Sequence, residues 1–301
     1  MKFPLDKKIL FVYNPKSGKA RIRNKLADIL DIFTAAGFEV TTCPTGKRGD
    51  ATEMIANRKP IYDMVVCSGG DGTLDDVVTG MMQSGFQTPL GYIPAGSTYD
   101  FGGSLALSNN MITAAQQIVK GYNFPCDIGA FNKDVFVYIA AFGIFTEVSY
   151  ETDQEMKNVL GHMAYLLEGM KRLSTVKSYH IKVTYEDKVI EDDFIFGMVT
   201  NSISVGGFKN ITGKNVRLDD GVFEVTLIKE PKAPGELNQI MVSLMNRDID
   251  TKLMYCFRTA SVRIESTEDI AWTLDGENGG IHRDVYIENR HKAVEIRVTK
   301  R

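Results

Sequence analysis

The chain has 301 residues, 44% of them hydrophobic and 24% charged, with a formal net charge of -3. That length exceeds what one hydrophobic core usually supports, so two domains are expected, and the ordinary composition excludes long disorder. Slight acidity, without a basic stripe or interleaved aromatics, sets nucleic acid aside as a partner.

In chain order, 8–12 reads as the first strand, and Ile22, Leu26, Ile29, Leu30 and Phe33 then recur at helical spacing with Gly37 as a C-cap. A strand over 38–42 follows. Asp50-Ala51-Thr52-Glu53 predicts a helix start as a variant capping box, with an acceptor at its first position and Glu three residues later. Next come a strand over 64–67, a helix whose apolar face is Leu74, Val77, Val78 and Met81, and a strand over 90–93. Short β-branched runs alternating with helices are the signature of a parallel sheet with crossover helices.

From about Cys126 the texture changes. Longer apolar or alternating runs at 135–142, 181–185, 194–200, 222–228 and 261–265, separated by turn residues, predict a mostly antiparallel β-rich domain. Two helices interrupt it, with stripes Met156, Val159, Leu160, Met163, Leu166, Leu167, Met170 and Leu237, Ile240, Met241, Leu244, Met245. Such stripes read first as core, although thioethers also suit a soft wall for an acyl chain.

The longest apolar run, 135–145, is far short of the roughly 20 residues of a spanning helix. The N-terminus lacks the pattern of a signal peptide, so a cytoplasmic protein is expected. Cys43, Cys67, Cys126 and Cys256 lack C-x-x-C spacing and are expected as reduced, mostly buried thiols. The four histidines show no ligand spacing either.

Cys67-Ser68-Gly69-Gly70-Asp71-Gly72-Thr73 lies between a predicted strand and a predicted helix, where backbone N–H groups and the positive helix end favour a phosphate. The Asp71 carboxylate would repel phosphate unless a divalent cation lies between them, and Mg²⁺ is the natural mediator. Asn14-Pro15-Lys16-Ser17-Gly18-Lys19 follows the first strand and so lies at the carboxyl edge of the sheet, where open α/β folds bind ligands; it is not a Walker A loop. Residues 94–101 make a third loop at that edge. Asp219-Asp220-Gly221 and Asp275-Gly276-Glu277, each taken alone, read as hairpin turns. A kinase acting on a hydroxyl nevertheless needs a carboxylate near the nucleophile and metal-shielded charge near the phosphates, and these turns can supply both.

Together these segments resemble the diacylglycerol-kinase catalytic family, which includes bacterial lipid kinases and is similar to sphingosine and ceramide kinases. The last two turns, in Leu218–Phe223 and Leu274–Glu277, set the chain apart from NAD kinases and phosphofructokinases, which share only the central loop. The resemblance implies an α/β fold: an N-terminal parallel-sheet nucleotide-binding domain over 1–125, completed by a returning segment over 288–301, and a C-terminal, mostly antiparallel β-rich lipid-substrate domain over 126–287. It further implies that Asn14, Pro15, Lys16, Ser17, Gly18, Thr45, Gly69, Gly70, Asp71, Gly72, Thr73 and Ser97 hold ATP. Mg²⁺ contacts map to the backbone carbonyls of Arg217 and Val222 and the carboxylate of Asp220, and either Asp275 or Glu277 supplies the catalytic carboxylate.

The chain departs from the family pattern at Tyr99, where relatives have asparagine in the third loop, and at Asp75, which also replaces an asparagine. The leading expectation is transfer of the ATP γ-phosphate to the hydroxyl of a diacylglycerol-like lipid. With no spanning helix, such an enzyme visits the inner membrane face by transient peripheral contact. The oligomeric state stays open, a homodimer included. A kinase for a soluble substrate such as NAD is the alternative. A nucleotide- or lipid-binding regulator without turnover is a third reading, motivated by Asp75 and Tyr99 and opposed by the presence of Asp71, Asp220, Asp275 and Glu277.

Overall fold

The computed structural model describes residues 6–96, 99–144, 177–205, 208–209, 216–233, 235–236, 239–240, 242–243 and 252–299. The expected helix over 156–170 lies outside these residues, and the one over 237–245 lies largely outside them. The chain divides into two compact units, Met1–Ile128 with His291–Arg301, and Gly129–Arg290.

The first unit alternates strands and helices: β1 (Lys7–Tyr13), the short turn α1 (Ser17–Ala20), α2 (Leu26–Ala35), β2 (Phe38–Pro44), α3 (Asp50–Ala56), β3 (Met64–Gly69), α4 (Asp71–Ser84), β4 (Leu90–Pro94), α5 (Asp100–Ser104) and α6 (Met111–Lys120). Strands β2, β1, β3 and β4 pair in that order, all parallel. β3 is buried along its whole length, which is why it reads as a continuous apolar run rather than an alternating one. One face of the sheet packs Phe11, Val66 and Ile93 against Ile29 and Phe33 of α2 and Ala115 and Ile118 of α6. Because the four strands run parallel, their carboxyl ends open on one edge.

The start of α3 differs from the expected capping box. Its N-cap is Gly49, at φ 82°, and no side chain caps it. The Asp50 carboxylate turns back instead and accepts the N–H groups of Gly46 and Lys47 at 2.7 and 2.9 Å. The loop donors at 46 and 47 take this carboxylate in place of the helix end, and the Gly49 N–H donates to Oδ2 of Asp76 at 3.0 Å.

β5 (Tyr122–Phe131) carries the chain into the second unit. There follow β6 (Asp134–Phe136), β7 (Ile139–Gly143), β8 (Tyr179–Tyr185), β9 (Lys188–Thr200), β10 (Ser204–Val205), β11 (Phe208–Lys209), β12 (Phe223–Lys229), β13 (Met254–Thr259), β14 (Ser261–Leu274) and β15 (Glu277–Val298). The ladder β13-β12-β9-β7-β14-β15 is antiparallel throughout, and β8 bridges β9 and β14. Trp272, Phe142 and Phe131 fill its core, with Trp272 at 4.9 and 5.1 Å from the two phenyl rings.

The single strand expected over 135–142 is instead two, β6 and β7, because the amides of Val137 and Tyr138 point to a side chain rather than to a neighbouring strand. The end of β15 returns to the first unit, where Ile296 pairs with Leu90. Arg297 secures it there by donating to the carbonyls of Ile118 and Val119 at the end of α6. Asp127, fully buried, accepts the amide of Lys292 at 2.7 Å and pairs with Nδ1 of His291 at 3.0 Å.

Three of the four cysteines are buried, Cys256 is exposed, and none forms a disulfide.

Candidate functional site

In the first unit the loops after β1 and β3 and the end of β4 meet at the carboxyl edge. Asn14 donates its N–H to the carbonyl of Ser68 at 2.8 Å, and Ala95 donates to the carbonyl of Gly69 at the same distance. The Asn14 side chain accepts the amide of Lys16, closing an Asx turn over Pro15. Gly18 sits at φ +57°, and a Cβ there would lie 1.7 Å from the carbonyl oxygen of Ala95, so only glycine fits this crossing. Lys19 and Ala20 also adopt positive φ, at 61° and 58°. Left-handed non-glycine residues cost roughly 1–3 kcal/mol each and gather where structure is held for use. The sequence offers no signal for them.

Gly70 caps α4 with extended backbone and without a side-chain partner. The positive end of a helix of 14 residues is thus left for a ligand. Ser17 and Gly96 border it: a Cβ on Gly70 would lie 3.7 Å from Oγ of Ser17 and 3.6 Å from Cα of Gly96. Thr73 is buried against Gly69, and Thr45 is tied to the end of β1 by its N–H to the carbonyl of Tyr13 at 2.9 Å. Gly72 follows in the first turn of α4. Ser97 lies outside the described residues.

Asp71 opens α4 with its carboxylate only 6% exposed. Oδ1 accepts the Tyr92 hydroxyl at 3.4 Å, and the same hydroxyl lies 3.3 Å from the carbonyl oxygen of Gly69. Burial, with the negative charge of Asp71 beside it, pushes the Tyr92 phenol well above its ordinary value, so it stays a donor. The same burial raises the Cys67 thiol, helped by Asp76 and Asp71, which leaves it unreactive. Tyr92 escaped the sequence reading; a tyrosine in the middle of a fully buried strand, whose hydroxyl must find a partner, was the available signal.

The second unit holds the other predicted residues. Asp220 lies in the turn before β12, with Gly221 at φ +81°. Its Oδ1 accepts the amide of Val222 at 3.4 Å and its Oδ2 pairs with Arg258. Arg217 is exposed and pairs with Asp219 at 3.4 Å. Arg258 also reaches Glu224, its cross-strand neighbour, at 3.1 Å. Burial lifts the Glu224 carboxyl to about 7 against the lowering pull of Arg258. Neither Glu224 nor Arg258 was flagged in the sequence, since only strand register brings them together.

Asp275 and Gly276, at φ 51° and 82°, are the two central residues of a hairpin turn whose flanking pair is Leu274 and Glu277. This is the positive-φ pattern of a type I′ turn, for which Asp-Gly is suited. The Asp275 carboxylate is 4% exposed and accepts three amides: Val137 at 2.6 Å on Oδ2, and Tyr138 and Ile139 at 2.9 and 3.0 Å on Oδ1. Glu277, two residues on, is half-buried.

Among the described residues no group of three or more His, Cys, Asp or Glu is placed to hold a metal ion. Mg²⁺ usually takes one or two carboxylates together with substrate phosphates and water rather than an all-protein cage. Asp71 beside an open helix end matches that mode.

Comparison with known proteins gives the following. Residues 8–131 match the diacylglycerol kinase catalytic domain, and 139–295 match the YegS C-terminal NAD kinase beta sandwich-like domain. A diacylglycerol kinase of Staphylococcus saprophyticus is 34% identical over 279 residues, covering 92% of this chain and 90% of the relative. One from Bacillus subtilis is 31% identical, covering 91% of each. A crystal structure from Bacillus anthracis, described as a candidate diacylglycerol kinase, superposes with a TM-score of 0.84 at 26% identity, covering 97% of this chain and 95% of that one.

Proposed function

The chain belongs to the diacylglycerol kinase family, whose members are kinases with an alcohol acceptor, and from that premise we propose that it transfers the γ-phosphate of ATP to the hydroxyl of a diacylglycerol-like lipid. The observation that carries this reading is the uncapped start of α4, with the buried carboxylate of Asp71 at its first position and the Asn14–Gly18 loop beside it.

On this reading the start of α4 in Gly69–Thr73 binds the triphosphate through backbone N–H groups, the Asn14–Gly18 loop borders it with the side chains of Lys16 and Ser17, and Thr45 and Ser97 take part as the family resemblance implies. Within the second unit Asp220, with the carbonyls of Arg217 and Val222, would hold Mg²⁺, which when bound supplies positive charge at the phosphates; in the first unit the Asp71 carboxylate at the phosphate loop would itself call for a divalent cation. Positioning and charge stabilisation do most of the work, because phosphoryl transfer demands little covalent chemistry of the protein.

Of the two candidate bases we assign Glu277. A base must reach the proton it takes. The Asp275 carboxylate is engaged by three backbone donors and almost wholly buried, whereas Glu277 is half-buried at the start of β15. Among the described residues no helix is long and apolar enough to cross a membrane, so the lipid is met by transient contact of the protein with the inner membrane surface.

The test is incubation of the purified protein with γ-labelled ATP, Mg²⁺ and, in separate reactions, vesicles containing diacylglycerol, other hydroxyl lipids, NAD and sugars. Label is expected in phosphorylated diacylglycerol. Label confined to NADP, or to a sugar phosphate, overturns the lipid assignment.

A further inference from the structure

We propose that Asp275 is a positioning residue, which fixes the turn presenting Glu277 by accepting three consecutive backbone amides from 137–139. This rests on the assignment of Glu277 as the base and extends it to the residue that holds Glu277 in place.

The stretch between β6 and β7 gives up ladder bonds: β6 ends at Phe136, β7 begins at Ile139, and the intervening amides need acceptors because this region is buried. They find them in a carboxylate some 138 residues further along the chain. Charged acceptors make stronger, shorter bonds than neutral ones, and three of them fix the carboxylate in position and direction. The turn backbone joins the clamp, since the Asp275 N–H donates to the carbonyl of Ile139 at 2.9 Å. The turn is therefore held by four hydrogen bonds to three adjacent residues.

An ordinary two-residue hairpin turn stands free at the tip of its ladder. This one is anchored, and the first residue after it is Glu277.

The anchor is itself braced. The carbonyl of Tyr138 accepts the amide of Asn201 at 2.9 Å, at the end of β9, and the neighbouring Thr200 donates its hydroxyl to the carbonyl of Glu224 at 3.2 Å. Thr200, Asn201 and Ser202 are fully buried. A hydrogen-bonded path within the second unit thus runs from the Asp275 turn to β12, whose Glu224 pairs with Arg258 of β13, the arginine that also pairs with Asp220. Turn and acidic loop share one rigid support.

The experiment compares Asp275→Asn, Asp275→Ala and Glu277→Gln with the wild-type protein. It reads kcat and KM on diacylglycerol vesicles, the pH dependence of kcat, thermal melting, and amide exchange of 137–139 in the wild type. Asparagine preserves the shape and one acceptor oxygen but offers an NH₂ group to the amide of Val137. Its kcat is expected to fall roughly 10²-fold, the scale of a small misplacement of a reacting group. The KM for ATP should stay within about twofold, because the turn does not contribute to the phosphate loops. Alanine should lose more. The acidic limb of the pH profile should keep its wild-type position in Asp275→Asn, since Glu277 is still the base, and amides 137–139 should exchange as slowly as those of β7.

Wild-type kcat in Asp275→Asn overturns the proposal. So does disappearance of the acidic limb in Asp275→Asn with its persistence in Glu277→Gln, which would make Asp275 the base. Fast exchange at 137–139, or an Asp275→Asn protein too unstable to assay at any temperature, reduces Asp275 to a fold residue and overturns it as well. Full activity of Glu277→Gln is a separate outcome that sinks the base assignment underneath.

Discussion

The hydroxyl of Tyr92, at the middle of β4, lies 3.4 Å from Oδ1 of Asp71, the first residue of α4. Strand and helix are thereby joined at an almost fully buried carboxylate of the phosphate edge. This donor helps to fix the direction of the Asp71 carboxylate at the helix end. Tyr92→Phe is expected to cost about 1 kcal/mol of stability, the usual net worth of a hydrogen bond, and to lower kcat by about tenfold. Urea unfolding and a phosphotransfer assay on the same preparation check both. Unchanged kcat would remove Tyr92 from the positioning of Asp71.

Gly18→Ala tests the crossing of the first and third loops. The new Cβ would need the space now taken by the carbonyl oxygen of Ala95, on a backbone already at positive φ. A loss of ATP affinity of at least tenfold is expected, with a stability loss of about 1–3 kcal/mol from strain. Isothermal titration with a non-hydrolysable ATP analogue measures the first and thermal melting the second. Wild-type affinity would mean the loop relaxes and does not shape the phosphate site.

Arg258→Met removes the cation shared by Asp220 and Glu224. Glu224 would be left buried without its counter-charge, at a cost of about 1–3 kcal/mol, discounted from the full buried-pair figure because the arginine is half exposed. Adding Glu224→Gln should recover most of that loss, as a double-mutant cycle in urea would show. An additive double variant would mean that the pair is not coupled.

His180 supplies a pH signature in the second unit. The carboxylate of Asp193 at 2.9 Å, then that of Glu191 at 3.2 Å, raise its pKa above the ordinary 6.5, while slight desolvation opposes them. Lys232 reaches Asp193 from the other side at 3.5 Å. The folded state favours protonated His180, so the pair contributes fully below the ordinary imidazole pKa and its contribution fades as pH rises through the raised value. NMR titration should place His180 above 6.5 in the wild type and lower in Asp193→Asn. Titration at or below the ordinary value in the wild type contradicts the pairing.

What the sequence made legible was local. Gly69–Thr73 announced itself because a β-branched run, two glycines and a helical stripe stand in immediate succession, and the structure puts that loop between β3 and α4. Asp275-Gly276 was legible as a turn because Asp-Gly suits positive φ at both positions. The other half of that turn was not. Its carboxylate reaches amides 136–138 residues away, and the loss of those amides from a ladder is what splits the strand expected over 135–142. Glu224 and Arg258 meet only through the register of β12 on β13, a pairing of residues 34 apart that no local pattern encodes. Asp50 misled for the opposite reason: two acceptor tasks lay within reach, and loop geometry decided between them.

The most direct measurement is the turnover of Asp71→Asn on diacylglycerol vesicles with ATP and Mg²⁺, with thermal melting recorded on the same protein. The substitution keeps the shape and an oxygen that can accept from Tyr92 but removes the charge. The account predicts a folded protein whose kcat is lower by at least about 10²-fold, the scale of losing one main electrostatic contact in the transition state. A folded Asp71→Asn protein with wild-type turnover would contradict it.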